Sequence, residues 1–185
     1  MVETLPTRVV ADPALRTTGD RWLRIAAIAF AAAVLVHNGD HLRRGGDSVS
    51  AQVFWVGSAA ILVEIAVVLL VFASHPSAPV AAVAAGFGLA LGYLLVHFTP
   101  RRSWLSDSLT NGDASWLTVL AALVETLAAL GLGIAGLRSL RQTGLAAAAS
   151  SYAPVSLTRT MMHPVVAAMV IGNVVIFVGS AATRW

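Results

Sequence analysis

The sequence predicts an all-α integral membrane protein, a four-helix transmembrane bundle of two tandem helical hairpins with a fifth C-terminal transmembrane helix. Three observations predict it. Of 185 residues, 57 % are apolar and only 11 % are charged, against about 25 % charged in an ordinary soluble domain. Mean hydropathy is +0.79. The apolar residues fall into runs long enough to cross the ~30 Å hydrocarbon layer at 1.5 Å per residue.

Residues 1–21 form a polar N-terminal tail with Pro6 and Pro13. Span one runs from Trp22 to Val36, span two from Phe54 to Ala73, span three from Val80 to Phe98 and span four from Trp116 to Leu137. Repeat one thus covers 22–73 and repeat two 80–138. Residues 139–159 are an Ala/Ser-rich linker with Pro154, and 160–185 hold the fifth span, opening at Pro164 where a missing N–H costs nothing. Ala31 to Ala33 would also suit a cleaved leader, but further spans of equal quality favour a retained first span. Trp22, Trp55, Trp116 and Trp185 lie at span ends and Trp104 in a loop. Indole rings prefer the headgroup level, so this placement agrees with the boundaries.

Charge and composition narrow the chemistry. The net charge of +3 comes from few residues, all twelve basic ones being Arg, so no basic surface for nucleic acid exists. The absence of Cys excludes disulfides, iron–sulfur clusters and thiolate sites. The absence of Lys excludes a Schiff base. Arg in place of every Lys suits a GC-rich bacterial genome, hence a bacterial plasma membrane. With a cytoplasmic N-terminus seven Arg lie inside (8, 16, 21, 24, 138, 141 and 159) and five outside (43, 44, 101, 102 and 184), the sense of the positive-inside rule.

The polar residues repeat. Leu35-Val36-His37 matches Leu95-Val96-His97, and each His is followed by an Arg pair, Arg43-Arg44 and Arg101-Arg102, then by an acid, Asp47 and Asp107. Each following span opens at a Trp, and nine residues later stands Leu62-Val63-Glu64 or Leu123-Val124-Glu125. Both copies enter the membrane from the same side, so the repeats are parallel about an axis along the membrane normal. Gly88-x-x-x-Gly92, Gly86, Gly131, Gly133 and Gly136 offer close helix contacts.

Glu64 and Glu125 lie ~13 Å below their Trp anchors, near the bilayer centre. A charged acid there costs about 2.5–3.5 kcal/mol, so each must face the interior and take a proton or a partner. His37 and His97 form a second layer nearer the surface. His41 follows His37 by one helical turn and shares its face if the helix continues, but Asn38-Gly39 is a stop signal. Four readings of this set stay open. The groups hydrogen-bond one another and fix register. Glu64 and Glu125 form a proton or ion site. His37, His97 and His41, with the acids, ligate a divalent metal. Or His37 and His97 hold a haem, with Arg43, Arg44, Arg101 and Arg102 meeting propionates or, equally, anionic lipid. No nucleotide-binding, hydrolase or metalloprotease motif is present. The functional expectation is therefore a buried His/Glu site at the repeat interface. The alternative is an accessory or assembly subunit docking on a membrane-protein partner or on a second copy of itself.

Overall fold

The computed structural model describes residues 13–45, 48–100, 105–110, 114–143 and 156–183. The N-terminal residues 1–12, Asp47, the pair Arg101-Arg102, Trp104, most of the linker (144–155) and Trp185 lie outside them. The described residues form helices α1 (Pro13–Arg44), α2 (Ala51–Phe72), α3 (Ala78–His97), α4 (Trp116–Thr143), α5 (Leu157–Met161) and α6 (Pro164–Ala182), with no strand among them. Five helices are long and apolar enough to cross a membrane: α1 over Arg21–Arg44, and α2, α3, α4 and α6 entire.

Helix boundaries follow local chemistry. Helix α1 opens at Pro13, inside the stretch read as tail, since proline's fixed φ suits the first helical position. It also runs through Asn38-Gly39 to Arg44. Asp40 pairs with Arg43 at 2.7 Å and with Arg44 at 3.1 Å across its last turn, and His41, Arg43 and Arg44 there complement the helix dipole. In α2 the N-cap Ser50 accepts from the Val53 N–H at 3.1 Å. Just past its C-terminus Ser74 takes the left-handed conformation, φ 53°. Helices α3 and α6 each carry a proline in their first turn.

The helices run up and down. At one end Arg24 of α1 donates to Ser74 in the α2–α3 turn at 2.7 Å, and the His163 ring at the start of α6 stacks on Phe72 of α2 at 4.1 Å. At the other end Arg44 meets Asp107 of the α3–α4 connection at 3.1 Å, and Arg43 donates to Thr118 of α4 at 3.2 Å.

Helix α4 packs closely against both α1 and α3, whereas α2 touches α1, α3 and α6 more sparsely. Leu23, Phe30 and Val34 of α1, Val67 and Val71 of α2, Ala129 and Leu132 of α4, and Val166 and Met169 of α6 form the apolar core. Small residues set the closest approaches. A Cβ at Gly86 would lie 2.4 Å from the Gly133 backbone nitrogen, and one at Gly136 would lie 2.8 Å from the Pro79 carbonyl oxygen. Gly88, Gly92 and Gly131 take no part: a Cβ there meets nothing within 4 Å. The Gly88-x-x-x-Gly92 pair therefore does not seat a helix, because the α3 face that meets α4 carries Gly86 instead.

Helix α6 docks on α1 as well as on α2. Asn38 donates to the Asn173 side-chain oxygen at 2.8 Å, and Asn173 donates back to the Met169 carbonyl at 2.9 Å. The mid-span amide thus bridges α6 to the rest, as its burial in apolar surroundings requires.

Candidate functional site

The site lies at the end of the molecule where α1 and α3 finish and α2 and α4 begin. Each polar group is carried in by helical spacing. His37 and His41 stand one turn apart on α1, and Tyr93 and His97 one turn apart on α3, so each pair shares a face. Glu64 of α2 and Glu125 of α4 are 2 % and 1 % exposed, and both face the interior. The expectation that no acid points at acyl chains is met.

Three imidazoles converge. The ligand nitrogens of His37, His41 and His97 all lie within 4.8 Å of one another. The Nε2 atoms of His37 and His41 are 3.0 Å apart. The His37 ring meets that of His97 edge to face, with centroids 4.8 Å apart. Glu125 Oε2 stands 3.6 Å from His37 Nε2 and makes no hydrogen bond. The two layers read from the sequence are thus in direct contact.

Around this cluster runs a clamp of charges. Arg44 donates to His41 Nδ1 at 2.8 Å and to Asp107 at 3.1 Å, and pairs with Asp40. Because a guanidinium only donates, His41 accepts at Nδ1. Its proton therefore sits on Nε2 and is given to His37. His97 Nδ1 faces Asp107 through the backbone oxygen at 3.3 Å and a carboxylate oxygen at 3.6 Å. That contact fixes the ring and leaves Nε2 for the cluster. On the deeper side Tyr93 donates to Glu64 Oε1 at 2.6 Å and neighbours Glu125 as well. Glu64 Oε2 is buried without a partner.

A cavity of about 340 Å³ opens beside these groups. His37, His41, His97, Glu64, Glu125 and Tyr93 line it, and its remaining wall is mostly apolar, from α2, α3 and α6.

The candidates divide clearly. His37, His41, His97 and Glu125 come together, while Glu64 is tied to the group through Tyr93. Arg44 does not stand free for propionates or lipid and is turned inward, whereas the Arg43 side chain is 51 % exposed. Asp40, one turn before them, pairs with both, and Arg44 also meets Asp107 and His41. Nor is there a slot for a porphyrin between His37 and His97, since their rings touch. Arg101 and Arg102 lie outside the described residues. His75 bonds Ser77 in the α2–α3 turn, at the other end of the helices from the site.

Sequence reasoning missed Tyr93 and the double role of Asp107. The first had a signal, being one helical turn before His97. The second had only a loop position. The chain matches no protein-family model, no curated protein and no solved structure.

Proposed function

We propose that this is a multi-pass metalloprotein of the bacterial plasma membrane, holding one transition-metal ion through His37, His41, His97 and Glu125. The observation that carries the reading is three imidazole nitrogens within 4.8 Å of one another, beside an unpartnered buried carboxylate oxygen 3.6 Å from His37. Nitrogens bound to one tetrahedral ion at about 2.0–2.1 Å stand roughly 3.3 Å apart. The His37–His41 separation of 3.0 Å already meets that distance. Without an ion, three imidazoles and two carboxylic acids crowded at membrane depth form an expensive arrangement.

Imidazole and carboxylate donors without thiolate or thioether suit zinc or ferrous iron rather than cuprous copper. The Asp107 backbone carbonyl on His97 Nδ1 supplies the outer hydrogen bond that orients a metal-ligating histidine. Ligation through His41 Nε2 moves that ring's proton to Nδ1, where Arg44 now donates. Arg44 keeps Asp40 and Asp107 as partners when it turns away.

The four-helix bundle from a copied hairpin belongs to the same proposal. Its support is that His37 meets His97 while Glu64 and Glu125 flank one Tyr93. The proposed orientation puts the N-terminus in the cytoplasm and the histidine end at the outer face. The chain lacks Cys, so a single Ser48→Cys variant labelled by an impermeant thiol reagent tests it.

The experiment for the metal is elemental analysis of purified protein with a spectroscopic substitute. Cobalt(II) in a three-nitrogen, one-oxygen site gives d–d absorption that His37→Ala or His97→Ala abolishes. A wild-type protein that retains no metal after equilibration with zinc, iron(II) or cobalt(II) refutes the reading.

A further inference from the structure

The cavity beside the histidines has a second, separable character. It lies among helices that cross the membrane, and α2, α3 and α6 supply its apolar wall. Its volume, about 340 Å³, falls in the ~300–1,000 Å³ range of small-molecule sites. A wall of this kind suits an apolar occupant.

Two features restrict the occupant's shape. Gly88 and Gly92 stand one turn apart on α3, and Gly57 lies on the α2 wall. All three line the cavity, and a Cβ at any of them meets nothing within 4 Å. Bare backbone on two walls leaves a slot between α2 and α3. At its edge the Phe54 and Phe177 rings stack with centroids 5.5 Å apart, and both line the cavity.

A third feature restricts its polarity. Glu64 lines the slot and is 2 % exposed, yet its Oε2 has no hydrogen-bond partner, while Tyr93 is committed to Oε1. A buried carboxyl oxygen left unpaired is costly in an apolar setting. A plain acyl chain would fill the apolar wall and leave that atom unpaired. A ring bearing oxygen and trailing an apolar tail would meet both the apolar wall and Glu64.

We propose that the slot between α2 and α3 binds the ring of a lipid-soluble quinone or quinol, one ring oxygen on Glu64 and the tail running out between the spans. The inference does not rest on the metal, since Glu64 is outside the proposed ligand set.

The test uses the full chain in quinone-free nanodiscs, titrated with a short-chain alkyl benzoquinone and, separately, an alkyl naphthoquinone. Quenching of tryptophan fluorescence reports binding, because Trp55 touches both Phe54 and Phe177. Saturable quenching by at least one of the two is expected, and the tighter one names the ring class. Gly92→Leu, which fills the slot from α3, and Glu64→Leu, which removes the oxygen's partner, should each weaken binding at least tenfold. Metal content measured on the Gly92→Leu protein should stay at the wild-type value, so that failure here is distinguishable from failure of the metal reading. Strictly linear, unsaturable quenching of the wild type by both quinones overturns the proposal. So does unchanged affinity in Gly92→Leu. Should the variants misfold, competition on the wild type decides: a long-chain alkane that displaces the quinone at equal concentration makes the slot a lipid-tail pocket and sinks the idea.

Discussion

One added methyl group tests the packing that holds the site. At Gly86 a Cβ would stand 2.4 Å from the Gly133 nitrogen, 2.7 Å from the Ala129 carbonyl oxygen and 2.7 Å from the Gly133 Cα. Every one of these atoms is backbone, so none can rotate away. Non-bonded carbon contacts settle at about 3.5–4.0 Å, so Gly86→Ala must push α3 and α4 apart by roughly 1 Å at this level. Overpacking of this kind destabilises by about 1–3 kcal/mol. Gly131→Ala is the matched control. It lies in α4 beside Gly133, but its Cβ meets nothing within 4 Å, and replacing a mid-helix glycine by alanine gains about 0.5–1 kcal/mol. The two variants should therefore differ by about 1.5–4 kcal/mol, with Gly86→Ala the weaker. For a chain of this size about 1 kcal/mol corresponds to a Tm change of roughly 2–4 °C, so thermal melts in one detergent should separate them by about 3 °C or more. Since α3 also carries Tyr93 and His97, Gly86→Ala should lose metal at lower temperature than the control. Equal melting temperatures, or a less stable Gly131→Ala, would refute the assignment of the α3–α4 contact to Gly86.

Two further outcomes are expected. Asp107→Asn keeps the backbone carbonyl that holds His97 Nδ1 but removes the nearby carboxylate charge and one anchor of Arg44, so metal binding should weaken by about tenfold, the low end for loss of an outer partner, readable by competition with a chelator. Asn173→Ala removes the bridge to Asn38 and should destabilise by about 0.6 kcal/mol and at most about 1.7 kcal/mol, measured by unfolding in mixed micelles.

How much was legible in the sequence depended on the kind of signal. Span number came through because hydropathy is a property of long windows: all five predicted runs appear as helices of spanning length, though the first and fourth helices run past the predicted ends to Arg44 and Thr143. Inward burial of Glu64 and Glu125 was legible for an energetic reason, the cost of an acid against lipid. His41 was not decided. Asn38-Gly39 is a local stop signal, and what overrides it is the ladder from Asp40 to Arg43 and Arg44, with Asn38 held by Asn173 on another helix. The role of the Arg pair was hidden for the same reason, because its partners lie one turn back and across the fold at Asp107. Glycine spacing marked helix faces but not their neighbours. Gly86, Gly133 and Gly136 meet a helix, whereas Gly88 and Gly92 meet a cavity. Looser contact between α1 and α2 than between α3 and α4 left no trace in the two similar sequences. The room for the cavity lies along α2, whose wall includes Gly57 and Ala60.

The most direct measurement is metal stoichiometry in wild type and in four single variants, His37→Ala, His41→Ala, His97→Ala and Glu125→Gln, after identical loading with cobalt(II) and desalting. One ion per wild-type chain, lost from each histidine variant and held more weakly by Glu125→Gln, is the predicted result. Retention of the same amount of metal by all three histidine variants, or none by the wild type, would contradict it.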